Sequence, residues 1–538
     1  MITINNVKHI LTYIEVRKMN KIFDVVKKYN IKNDFFLPYG FDKGKINFEA
    51  VNSLNHIEDG KLVLVTAINP TKAGEGKTTV SIGLADGLNA IGAKTMLALR
   101  EPSMGPVFGI KGGATGGGLS SIEPELDINL HFTGDFHAIT SAHNLLSALI
   151  DAHIFYGNEL GFDKVLWTRT LDVNDRSLRK VQTDLREDSF VITAASEIMA
   201  VLALANDLDD LKLRLNKILI GLTIDNKPIF VSDLGVSGAL MLILKDAFNP
   251  NVVLTKEGNP ALVHLGPFAN IAHGCNSIIA TKLALKMADY VVTEAGFGAD
   301  LGMEKFLDLK LPELKKDVSL VVLVTTLHSL KSHGGAENYF EPNLEALING
   351  IPHLEKHIEN IQNYNLDFVI AINKHTNDVN DEINYLLNWA KEKNFKIEVS
   401  DGFNSGSRGT KDLAELVVKT INNHKIREIN RPYDLNDTPK DKIYKIATKI
   451  YGASDVKFTK KALEQLEIYN NLIKDLPVCI AKTPSSFSDD SKLLGRPKNF
   501  VITIKEIKPS LGSNFFVAIT KGINIMPGLN KHSRAYDF

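Results

Sequence analysis

The chain is poor in cysteine: Cys275 and Cys479 are the two thiols in 538 residues. Two cysteines so far apart in sequence exclude a disulfide framework and a cysteine-built zinc site, and each reads as a small buried hydrophobe. Net charge is nearly absent, −1 from 62 Lys+Arg against 63 Asp+Glu. That balance excludes a global pull toward nucleic acid or an anionic membrane, so neither is expected as a partner. No apolar run approaches the roughly 18 residues that span a bilayer. The first twenty residues interrupt their apolar positions with Lys8, Glu15, Arg17 and Lys18, which leaves no secretory core. The expected location is cytoplasmic. Tandem repeats and low-complexity linkers are also missing.

The composition that remains, 44% hydrophobic and 23% charged, is that of a soluble globular protein. The length suits three or four average domains, or one large core with additions. Short β-rich runs recur at Leu62–Ile68, Lys94–Leu99, Tyr290–Thr293, Leu320–Thr325 and Phe368–Ile372. Helical patterns lie between them at Thr79–Ile91, Ala142–Ile154, Asn276–Ala288 and Asp378–Lys393. This alternation predicts an α/β fold: a parallel sheet with helices on both faces. Ligands in such sheets sit at the carboxyl ends of the strands. Here those ends deliver Asn69, Arg100, Glu294, His328 and Asn373-Lys374-His375 to one rim. The expected division is 1–364, with a helix-rich insertion near 185–246 in which Glu197–Leu215 is the clearest helix, then 365–426, then 427–538. The polar stretch Arg427–Lys440, with Pro432 and Pro439, reads as the last connector.

The first apolar run leads into Thr71-Lys72-Ala73-Gly74-Glu75-Gly76-Lys77-Thr78 and then a helix. Gly74 and Gly76 permit the tight turn that aims successive N–H groups at phosphate oxygens, and the helix N-terminus faces the same anion. Lys77 is placed to reach the outer phosphates, and the Thr78 hydroxyl to ligate Mg2+. This is a P-loop with Thr71 in place of the first glycine, and it predicts ATP as ligand. The loop alone names no reaction. The next strand ends in Arg100-Glu101-Pro102, where Arg100 is suited to hold a small carboxylate or to stabilise a transferring phosphoryl group. Six glycines follow between positions 109 and 118. Downstream, Asp127–His137 is dense in groups able to bind metal or move protons. Asp135, after Gly134, suits either a helix cap or a site acid. His131 and His137 read as structural histidines.

Taken together, Arg100–Gly113, Asp127–Ile139, Gly266–Gly274, Thr293–Gly302, Pro477–Thr483 and Met526–Leu529 resemble the formate–tetrahydrofolate ligase family. The resemblance runs from about residue 37 to the C-terminus. It implies a P-loop NTPase-like domain plus two smaller α/β domains, assembled as a homotetramer. It also implies ATP, Mg2+, formate and tetrahydrofolate as ligands, and activation by a monovalent cation (K+ or NH4+). Lys77, Arg100, Glu101 and Asp135 become the catalytic candidates. The residues Thr71 to Thr78 become the nucleotide loop, with Thr78 on the metal. His375 and Phe403 fall where the family places the phenylalanine and tryptophan that sandwich the pterin. The chain departs from the family pattern at those two rings and at Lys72, usually proline. Two of the family's four glycines are also lost in Phe403–Thr410, and Asn514, Asn530 and Ser533 replace a glycine and two prolines. A P-loop switch ATPase is the competing reading. Such switches usually end the next strand in aspartate, where this chain has Arg100, and they are usually much shorter.

Overall fold

The structure is a computed structural model, which describes residues 22–29, 31–71, 74–109, 113–423 and 428–537. Its centre is a mixed sheet. From Pro260–Val263 the order runs through Thr95–Leu99, Tyr290–Gly298, Lys61–Ala67, Leu320–Thr325 and Phe368–Asn373 to Ile397–Ser400, and each of these pairings is parallel. Asn251–Thr255 and Gly44–Ile46 extend the sheet antiparallel beyond Pro260–Val263. The parallel strands are continuous apolar runs because helices cover both faces; Leu320–Thr325 is buried at every residue. The segment 365–426 places its two strands, Phe368–Asn373 and Ile397–Ser400, at the end of this same sheet. A four-stranded sheet near the C-terminus runs Asp455–Phe458, Val501–Ser510, Phe515–Thr520, Val478–Ala481.

The strand that follows the helix Lys77–Ala90 does not pair with Lys61–Ala67. Tyr290–Gly298 lies between Thr95–Leu99 and Lys61–Ala67. This interposed strand brings its own residues into the site, as described below.

The helix Lys77–Ala90 is buried on nearly every side. Gly83 and Gly87 make that possible. A Cβ at Gly83 would lie 2.9 Å from Thr410 Cγ2, and one at Gly87 would lie 2.6 Å from Thr410 Oγ1. The Thr410 hydroxyl donates to the Gly83 carbonyl at 2.6 Å. Residues 406–410 are thereby locked against this helix.

The helix expected over Glu197–Leu215 is two helices, Glu197–Leu204 and Leu208–Asn216. Ala205 turns extended (ψ 142°), and the Asp207 carboxylate caps the second helix by accepting from the Asp210 N–H at 2.8 Å. Apolar periodicity continued across a capping signal that ends one helix and starts another. The insertion around it also contains the short strands Phe190–Ile192, Leu219–Leu222 and Pro228–Phe230. The helix expected from Ala142 begins earlier, at Asp135.

Asp86, on the helix Lys77–Ala90, is 1% exposed. Its Oδ1 accepts from Thr255 Oγ1 at 2.8 Å and Asn259 Nδ2 at 2.7 Å, while Oδ2 has no partner. Burial pushes its carboxyl up to about 7. The native state therefore holds a proton that the unfolded chain releases near pH 4. Stability from this group is highest at acid pH and falls as pH rises through about 7. Asp86→Asn is expected to remove that decline, on the order of 3 kcal/mol. The check is the unfolding midpoint of each protein at about pH 5 and about pH 8. An identical pH dependence in both would contradict it.

Candidate active site

The strand Lys61–Ala67 passes into the loop through Asn69, whose amide donates to Asp300 at 2.9 Å and to the Pro484 carbonyl at 2.9 Å. Gly74 and Gly76 both take positive φ, +79° and +62°. A Cβ at Gly76 would lie 2.1 Å from Asn373 Nδ2, and its positive φ favours glycine there. Lys72 and Ala73 lie outside the described residues. Glu75 faces inward: its carboxylate accepts from the Thr71 N–H at 3.0 Å and from Thr326 Oγ1 at 2.8 Å. Its carbonyl accepts from Asn373 Nδ2 at 3.1 Å. Glu75 thus ties the loop to the ends of two further strands.

Gly76 is the N-cap of the helix Lys77–Ala90. Lys77 Nζ donates to the Phe297 carbonyl at 3.1 Å. Burial pushes its ammonium down to about 8; the charge of Arg100 adds to this, and Glu294 and Glu75 oppose it. The Thr78 hydroxyl donates to Glu294 Oε2 at 2.9 Å. Glu294 is 2% exposed and comes from the interposed strand. Its other oxygen lies 3.6 Å from Arg100 Nη2.

Arg100 leaves the strand Thr95–Leu99 and donates from Nη1 to the Pro267 carbonyl at a long 3.4 Å. Its Nε is buried without a partner. A Cβ at Gly296 would stand 2.9 Å from Nη1, so that glycine clears room for the guanidinium. Thr78 and Arg100 therefore meet on one buried carboxylate, whose charge also acts on Lys77. Sequence reasoning placed Glu294 on the rim but gave it no role. Its partners become visible only when the order of the strands is known.

Glu101, next in sequence to Arg100, and Asp135 face each other in a second buried group. Asp135 is 1% exposed. Lys45 Nζ donates to its Oδ1 at 2.7 Å and Asn251 Nδ2 to its Oδ2 at 2.7 Å. Glu101 is 4% exposed, and its Oε2 has no partner. Burial first, then the charge of Asp135, raises the Glu101 carboxyl well above the usual range, with Lys45 opposing. Asp135 is the first residue of its helix, after Gly134 in the left-handed region, and not a cap. His131 and His137 are exposed.

Asn373 and Ser400 end neighbouring parallel strands. His375 follows the first and Phe403 the second. The His375 ring stacks on His328, 4.5 Å between centroids and 27° between planes. Phe403 is 49% exposed and lies against the glycine-rich loop, where its ring would be 3.1 Å from a Cβ at Gly117. Its carbonyl accepts from the Leu119 N–H at 2.9 Å.

Among the described residues, no cluster of three or more His, Cys, Asp or Glu is arranged to hold a metal. None of their helices is long and apolar enough to cross a membrane.

The chain matches the family model described as formate–tetrahydrofolate ligase over residues 11–538. It is similar to a curated protein of Acholeplasma laidlawii (strain PG-8A) named formate–tetrahydrofolate ligase, 56% identical over 522 residues, which is 97% of this chain and 98% of that one. A match of this extent covers every residue of the site just described, and the chain belongs to the formate–tetrahydrofolate ligase family.

Proposed function

We propose that this enzyme joins formate to tetrahydrofolate with ATP, giving 10-formyltetrahydrofolate, ADP and phosphate by way of formyl phosphate. The observation that carries the reading is the meeting of Thr78 and Arg100 on Glu294, beside Lys77, on which its charge acts.

The residues fit the groups the reaction needs. Two glycines with positive φ before a helix N-terminus suit a triphosphate. The Thr78 hydroxyl and Glu294 carboxylate are hard oxygen donors of the kind Mg2+ takes alongside phosphate and water. When bound, the metal offsets phosphate charge. Lys77 holds the outer phosphate. The partnerless Nε of Arg100, with its neighbouring Nη, offers a fork to a one-carbon carboxylate that has few other handles. A formate oxygen then attacks the γ-phosphorus and ADP leaves. N10 of the folate attacks the formyl carbon; the C–O bond to phosphate breaks, and N10 loses its proton. Glu101 and Asp135 act as positioning residues, with the Lys45–Asp135 pair anchoring the wall from which Arg100 projects. The pterin lies between His375 and Phe403, beneath a cover that includes Gly113–Gly118. Excluding water there protects an acyl phosphate from hydrolysis.

The division into a P-loop NTPase-like domain over 1–364 and two smaller units over 365–426 and 427–538 belongs to this reading. So do the homotetramer, the monovalent cation (K+ or NH4+) and the cytoplasmic location. The test is ADP release measured with and without formate plus tetrahydrofolate. Release is expected to depend on both. A rate indifferent to both would favour the switch ATPase and remove the ligase.

A further inference from the structure

Two histidines stand stacked on the rim next to the P-loop. Their strands, Leu320–Thr325 and Phe368–Asn373, are parallel neighbours, so His328 and His375 leave side by side. Each hangs close to a residue that grips Glu75: Thr326 holds its carboxylate and Asn373 its carbonyl. His328 is 6% exposed, and neither of its ring nitrogens has a hydrogen-bond partner. His375 Nε2 and Asp378 Oδ1 are likewise buried and partnerless. Asp378 Oδ2 accepts the backbone N–H of His375 at 2.8 Å, while Oδ1 lies 3.6 Å from His328 Nε2. Phe340 sets its edge on His328 at 5.2 Å.

The charged groups facing the stack are Asp378, Lys331 and Glu382. Lys331 and Glu382 pair with each other at 3.1 Å, which leaves Asp378 as the unbalanced charge. One proton on the stack is matched by that carboxylate. Two would set like charges 4.5 Å apart. The geometry therefore has a counter-charge for one proton on the stack and none for a second. His328 is held below the ordinary histidine range, by burial first and by the charge of His375 second, with Asp378 opposing.

We propose that the His328–His375 stack is a proton-linked platform for the pterin, so that tetrahydrofolate binds with uptake of a proton by the stack. This rests on the reading that His375 faces the pterin. A neutral imidazole gives a flat ligand only stacking contact. A protonated one adds the attraction of a cation for an electron-rich ring, and Asp378 supplies its counter-charge. His375 thus sets how strongly the pterin is held, according to pH.

The test is calorimetric titration of the full chain with tetrahydrofolate under anaerobic conditions. It is run at about pH 6 and about pH 8, in buffers of different ionisation enthalpy, on wild type, His375→Phe and Asp378→Asn. The wild type is expected to bind about fivefold more tightly at the lower pH and to take up a proton. His375→Phe should bind equally well at both, and more tightly than wild type at the higher pH, because a larger ring replaces a neutral imidazole. Asp378→Asn should lose most of the gain at low pH. A flat wild-type profile, or the same slope in wild type and His375→Phe, would overturn the inference. Failure of every form to bind tetrahydrofolate would overturn the functional reading itself.

Discussion

Lys77→Ala is expected to lower turnover at saturating substrates by about a thousandfold or more while the protein stays folded. The effect is large because charge moves onto the bridging oxygen as the γ-phosphoryl group transfers, and a fixed ammonium in a partly dry site is worth far more than one in water. Stability should not suffer. Among the described residues Nζ makes one hydrogen bond, to the Phe297 carbonyl, and burial already penalises its charge. The check is steady-state turnover beside the thermal midpoint. Near-wild-type turnover in a folded variant would remove Lys77 from the mechanism.

Arg100→Ala is expected to cost a comparable factor, about a thousandfold in kcat/KM for formate, with ATP affinity changed only a few-fold. Truncation removes the fork and takes from Glu294 the arginine that lies 3.6 Å from it. Arg100→Lys should recover little, since an ammonium cannot present two parallel donors. The measurement is KM and kcat for each substrate in turn. A variant that loses ATP binding instead, with formate unaffected, would place Arg100 on the nucleotide.

Much of the scaffold was legible because its signals are local. Apolar runs ending in polar residues marked the strands at 61–67, 95–99, 320–325 and 368–373 within a residue or two, and alternation gave the parallel sheet with helices around it. The glycines of the loop announced a positive-φ turn. What stayed hidden depends on contacts distant in sequence. Glu294 is more than two hundred residues from Thr78, and it meets Arg100 only because its strand is inserted between theirs. Asp135 suited a helix cap as well as a site acid because Lys45 and Asn251, which bury it, come from opposite directions along the chain. The break at Asn206-Asp207 was locally encoded, with Asp210 three residues on, but continuous apolar periodicity masked it.

His375 shows the reverse case. The sequence marked it as a departure from the family ring, and its partner His328 emerged only from the pairing of their strands.

The most direct measurement follows oxygen. If formate attacks the γ-phosphorus between Lys77 and Arg100, one of its oxygens must leave with the phosphate once N10 takes the formyl group. Turnover with 18O-labelled formate and unlabelled ATP, read by mass spectrometry of the released phosphate, is expected to give one label per phosphate. Unlabelled phosphate from a productive reaction would contradict the account.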